Sequence, residues 1–283
     1  MNLTHRLLLV EGIPGSGKTT LAKLKYEELT ASGYNVTLYQ EGDSHPADMA
    51  WNAYLSLDEY NEFLKACKNM WLSSEKKIPF SELKRKILEV TRFEDEHAIL
   101  AYTKISFPEM SYYSLLDDIS AREICDGRTP LSTFKEIHLR RWKRFCEEAL
   151  DSPDKIYIFE CAFFQNHIQE LLGVYDLSAE DIATYFKDLL ATVTALNPKI
   201  YYILPDDITS VLMAAAKERI APEGSNQLDW IDEITSYIEM SNYGKTHNLH
   251  GVPGLIQFLK KRVFLEQYLL HILPVASEVR IRK

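Results

Sequence analysis

The segment LLLVEGIPGSGKTT, residues 7–20, governs how the rest of the chain is read. Four apolar residues run into a glycine-punctuated turn, and Gly12-Ile13-Pro14-Gly15-Ser16-Gly17-Lys18-Thr19 fits the pattern G-x-x-x-x-G-K-[ST]. Glycines at those places let the backbone curl round an anion with its N–H groups inward, where side chains would obstruct. A helix starting at the end of the turn adds unpaired N–H groups and the positive end of its dipole. The pattern predicts a phosphate-binding loop over residues 12–20, Thr20 included. Lys18 is expected to reach the β- and γ-phosphates of ATP, and the Thr19 hydroxyl to ligate Mg²⁺.

Outward from this loop, residues 6–11 read as a buried strand, and helical spacing from Lys18 to Ser32 ends at Gly33. NVTLYQ (residues 35–40) is β-branched and aromatic enough for a second strand, which completes a βαβ unit with a right-handed crossover. KIYIFE (155–160) and KIYYIL (199–204) are near-continuous apolar runs, as strands covered on both faces are. EVRIR (278–282) is a candidate edge strand. Between the second and third strands, residues 46–150 are charge-laced, aromatic-rich and mostly of helical period, which predicts a large helical insertion that binds substrate. Within it AILAYTKI (98–105) fits strand or helix equally, whereas FKEIHLRRWKRFCEEAL (134–150) is an amphipathic helix. No internal repeat or low-complexity linker is visible, so the expected organisation is one α/β domain over 1–283: a three-layer P-loop NTPase fold with a central parallel sheet.

With 283 residues and a net charge of −9, the chain is a poor candidate for general nucleic-acid binding, which needs clustered Lys and Arg. Cys67, Cys125, Cys146 and Cys161 are scattered without metal-ligand spacing, and read as reduced cytoplasmic thiols. No apolar run reaches the length of a membrane span or a signal peptide's apolar region, so no membrane association is expected. A homodimer is left open.

A phosphate loop needs a carboxylate at the end of a neighbouring strand to position the metal ion, and Glu160 is so placed. Glu41 and Asp43 follow the second strand, where an open α/β sheet binds its ligands; either serves geometrically as a base, and a polar turn is the alternative role. Residues 206–250 are expected to form a lid, with Lys217 and Arg219 ending the helix 207–219; Arg219 would close over the transferring group, or both would only pair with the helix dipole. Arg128 and Arg141 are the substrate candidates among the positive charges of the insertion. Trp51, Tyr54, Tyr112, Tyr113, Phe163 and Phe164 would stack on a planar substrate or belong to the core.

Four landmarks in order, EGIPGSGKTT, QEGD followed by Trp51, IFECAFFQN, and NPKIYYILPDD leading to AAAKER, resemble the P-loop kinases of the nucleoside and nucleoside monophosphate group, especially deoxynucleoside kinases and thymidylate kinase. The resemblance covers residues 5–45 and 155–220. It implies a strand-two carboxylate acting as base, a strand-three acid, and arginines from a helical lid. The family's arginine after the strand-three acid is Cys161 here, and the insertion matches no family substrate pocket. The expectation is an ATP- and Mg²⁺-dependent kinase acting on a small-molecule acceptor: a nucleoside, nucleotide, sugar or antibiotic-like alcohol. The alternative is a regulatory NTPase whose insertion binds a protein partner.

Overall fold

Strand β1 (Leu7–Gly12) is buried at all six positions, as a strand with helices on both sides must be. The computed structural model describes residues 4–73, 78–105, 113–224 and 227–282. After β1 the chain enters helix α1 (Lys18–Ala31), turns at Gly33 in the left-handed region, and returns as β2 (Asn35–Tyr39). Two compact units follow from the contacts: Met1–Asp48 with Lys135–Lys283, and Met49–Phe134.

The second unit contains β3 (Ala53–Ser56), α2 (Leu57–Ser73), α3 (Phe80–Glu89), β4 (Thr91–Glu94), β5 (His97–Leu100) and α4 (Tyr113–Ser120). Its strands form an antiparallel sheet in the order β3-β5-β4. A stretch expected to be helical therefore carries a sheet as well. Within AILAYTKI, residues up to Leu100 belong to β5, and Tyr102–Lys104 make one turn of 3₁₀ helix. The hairpin β4–β5 turns at Asp95-Glu96, with Asp95 at φ 53°. This unit has its own core, including Leu55, Phe63, Cys67, Leu83, Ile87 and Leu100.

The chain continues through α5 (Leu131–Leu150), β6 (Lys155–Glu160), α6 (Gln165–Ile168, followed by a π-helical turn Gln169–Val174), α7 (Ala179–Val193) and β7 (Lys199–Pro205). It ends with α8 (Ile208–Glu218), α9 (Trp230–Met240), α10 (Asn242–Thr246), α11 (Gly251–Ile272) and β8 (Ala276–Arg282). Five strands pair in the order β2-β6-β1-β7-β8, every pair parallel, with β8 on the edge. Side chains alternate across the sheet. Leu8, Val10, Ile156, Ile158 and Ile203 pack with Leu21 and Ala22 of α1. On the opposite face Phe159 meets Trp142 and Phe145 of α5, and Tyr202 meets Glu266 of α11. Because all five strands run the same way, their carboxyl ends share one edge, where such sheets bind ligands.

Candidate functional site

The loop after β1 takes the backbone course its glycines were expected to permit. Gly15 sits at φ 77°, and a Cβ there would lie 2.7 Å from the Ala215 Cβ in α8. Gly17 sits at φ 97° as the N-cap of α1, with no side chain capping the helix. The first N–H groups of a 14-residue helix thus open onto the loop, the arrangement that holds phosphate. Ile13 is buried, as is Ser16, whose Oγ has no hydrogen-bond partner among the described residues. The Lys18 ammonium is buried and donates to the Ile13 carbonyl at 2.8 Å, spanning the loop from within.

Glu160 ends β6 directly beside this loop. It is 3% exposed, and its Oε1 accepts the Thr19 hydroxyl at 2.5 Å. Its other oxygen, Oε2, is buried without a hydrogen-bond partner among the described residues. A hydroxyl and a carboxylate are hard oxygen donors suited to Mg²⁺, which characteristically takes one or two protein ligands and completes its shell with phosphate and water oxygens. Among the described residues no group of three or more His, Cys, Asp or Glu could hold a metal unaided.

A cavity of about 820 Å³ opens over the loop. Pro14 to Thr20, Glu41, Glu160, Gln165, Arg219 and Arg282 all line it. The two carboxylates after β2 have different settings. Glu41 accepts from the Gln165 side-chain amide at 2.8 Å and from the Cys161 thiol at 3.6 Å. Asp43 is exposed and turned back on its own strand end, accepting from the Gln40 N–H at 2.8 Å, and is not part of the cavity wall. Cys161 itself is fully buried at φ 67°, and burial pushes its thiol well above the usual range.

Arg219 follows the last turn of α8, with its guanidinium carbon 4.6 Å from the centre of the Trp230 ring. The Trp230 N–H donates to the Arg219 carbonyl, and Asp229 accepts from the Ala221 N–H, so the ends of this connection are tied together. Lys217 is exposed in the last turn of α8. Residues 225 and 226 of the expected lid lie outside the described residues.

Arg141 is 1% exposed; it donates through Nε to the Pro46 carbonyl at 2.5 Å and pairs with Glu148 at 2.8 Å, away from the cavity wall. Arg128 is exposed after the turn Asp126-Gly127 in the unit Met49–Phe134. Phe163 and Phe164 are fully buried and pack on Phe186. Trp51 and Tyr54 belong to the Met49–Phe134 unit, while Tyr112 and the Tyr113 side chain lie outside the described residues.

Several residues at the site carried no expectation. Glu11, fully buried at the end of β1, accepts from the Phe163 and Gln165 N–H groups at 2.7 and 3.2 Å, which fixes the loop after β6 to the strand before the phosphate loop. Burial pushes its carboxyl up to about 7. Arg262 of α11 donates to the Gly12 carbonyl at 3.2 Å and to Glu266 at 2.7 Å, and Glu266 also accepts from the Tyr202 hydroxyl at 2.5 Å. Arg282, last described residue of β8, donates to the Gly15 carbonyl. Two signals were present in the sequence. A glutamate inside Leu-Leu-Leu-Val-Glu-Gly is a charge in a buried strand, and the alternation of EVRIR puts Arg280 and Arg282 on one face.

No family model matches the chain. A probable thymidylate kinase of Sulfurisphaera tokodaii is 61% identical over 36 residues, 13% of this chain and 19% of that protein. The chain thus aligns with less than a fifth of that relative's length. Among solved structures, that of the YGR205w protein aligns over 94% of this chain and 78% of its own, at 12% identity and a TM-score of 0.32.

Proposed function

We propose that the protein is an ATP-dependent phosphotransferase that passes the γ-phosphoryl group to a hydroxyl of a small molecule. The observation carrying this reading is the pairing of Thr19 with Glu160 under the glycine loop, with Glu41 lining the same cavity. The 36-residue likeness to a probable thymidylate kinase points the same way.

In this reading the loop amides from Gly15 to Thr20 and the Lys18 ammonium hold the β- and γ-phosphates. Thr19 and Glu160 would hold Mg²⁺, which supplies charge neutralisation at the phosphate oxygens. Glu41 takes the proton of the acceptor hydroxyl as that oxygen bonds to the γ-phosphorus and the bond to the β-bridging oxygen breaks, releasing ADP. Asp43, whose carboxylate closes a turn, is the poorer base. Arg219 leaves Trp230 to meet the charge that spreads over the equatorial oxygens. Arg141, held by Pro46 and Glu148, takes no part. The acceptor belongs to the alcohols, among them nucleosides and sugars.

ADP release from MgATP, measured alone and with thymidine, adenosine, thymidine monophosphate, glucose and kanamycin in turn, tests this. Strong stimulation by one of them is expected, with the phosphorylated acceptor appearing at the rate of ADP. Turnover that none of them raises would favour a regulatory NTPase.

A further inference from the structure

Gln165 stands where the cavity meets the candidate base, and every group around it restricts what its amide presents. Its backbone N–H is held by Glu11 at 3.2 Å, and the residue is 9% exposed. Its Nε2 lies 2.8 Å from Glu41 Oε1. An ionised carboxylate only accepts hydrogen bonds, so it requires the NH₂ side of the amide, and the amide orientation is thereby fixed. That leaves the carbonyl oxygen Oε1 of a residue that lines the cavity, buried and without a hydrogen-bond partner among the described residues. A buried acceptor in a wall that binds ligand calls for a donor on that ligand. Asn166 is differently committed, donating to Asp48 at 2.7 Å.

We infer that Gln165 reads the phosphoryl acceptor: its Oε1 accepts a hydrogen bond from a second O–H or N–H group of the acceptor molecule, while its Nε2 positions Glu41 as the base. This rests on the phosphotransferase reading above. It makes the acceptor a molecule with at least two donors, the hydroxyl that is phosphorylated and another that is recognised. A site built to satisfy a polar substrate group discriminates strongly against analogues that lack it.

The test replaces Gln165 by Met, which keeps the length and removes both polar atoms. The acceptor is whichever of thymidine, adenosine, thymidine monophosphate, glucose or kanamycin stimulates ADP release by the unaltered protein. The expected result is a rise in that acceptor's KM of tenfold or more, with the KM for MgATP moving less than threefold. Gln165→Asn, which retains a carbonyl and an NH₂ group, is expected to recover part of the discrimination.

Equal KM values for the acceptor in Gln165→Met and the unaltered protein would overturn the inference while leaving the phosphotransferase standing. So would a raised Mg²⁺ requirement with an unchanged acceptor KM, since that assigns Oε1 to the metal's water shell. Failure of all five compounds to stimulate the unaltered protein would overturn both readings.

Discussion

A carboxylic acid set at the end of Leu-Leu-Leu-Val has little water to ionise into. Glu11 keeps two backbone N–H partners, yet burial dominates and holds its carboxyl at about 7; Glu266 adds to the rise, and Lys18 opposes it. Arg262, Tyr202 and Cys161 are further titratable groups that feel its charge. In the unfolded chain the same group titrates near 4.5, so the folded protein binds more protons between these two values. Its contribution to stability is therefore complete below about pH 4.5 and is lost as the pH rises through about 7. The separation is worth at most about 3 kcal/mol. Calorimetry of Glu11→Gln against the unaltered protein from pH 5 to pH 8 checks it. The Tm of the unaltered protein should fall relative to the variant by several degrees across that interval, and parallel Tm curves would remove Glu11 as the cause.

At the scale of elements, the ends of α8 and β8 bring two guanidinium groups to one cavity by different routes. Arg219 lies over Trp230 at the end of α8; if it serves the transferring group as proposed, Arg219→Ala should lower kcat about a hundredfold or more and leave the KM for ATP within a few-fold. Arg282 sits against the glycine loop itself and makes no ion pair among the described residues, so Arg282→Ala should raise the KM for ATP about tenfold while kcat changes little. Steady-state kinetics separates the two. The elements that frame the loop were legible because strands covered on both faces read as unbroken apolar runs: β1, β6 and β7 stand within one residue of the expected strands 6–11, 155–160 and 199–204. The strand-end position of Glu160 likewise announced its nearness to Thr19. The four-residue strands β3 and β4 were not legible, and β5 only as one of two readings of AILAYTKI, since segments as short as TRFE and HAIL do not let a period of two stand out from helical surroundings. Nor was the support of Gly12 by Arg262. An Arg and a Glu four apart on a helix read as a surface pair, and only the docking of α11 buries both under the sheet edge.

At the scale of the whole molecule, a net charge of −9 means that no mean field draws a nucleotide in. The cations must be gathered, and Lys18, Arg219 and Arg282 reach one cavity from positions more than 60 residues apart in the chain. That convergence exists only in the folded state, so a ligand that depends on it binds the native protein and not the unfolded chain. By linkage, MgATP at a thousand times its Kd should stabilise the fold by about 4 kcal/mol, which raises Tm by about 10 °C for a domain of this size. Lys18→Ala removes the ammonium that spans the loop from within but leaves the sheet beneath it intact, so its ligand-free Tm should change little and most of the MgATP-induced rise should vanish. Thermal melts of both proteins with and without MgATP measure the two quantities together. An undiminished shift in the variant would place the nucleotide somewhere other than the loop after β1. Raising the salt concentration should shrink the shift in the unaltered protein, because attraction between a locally gathered cluster of cations and a triphosphate is screened over about 10 Å at 0.1 M ionic strength.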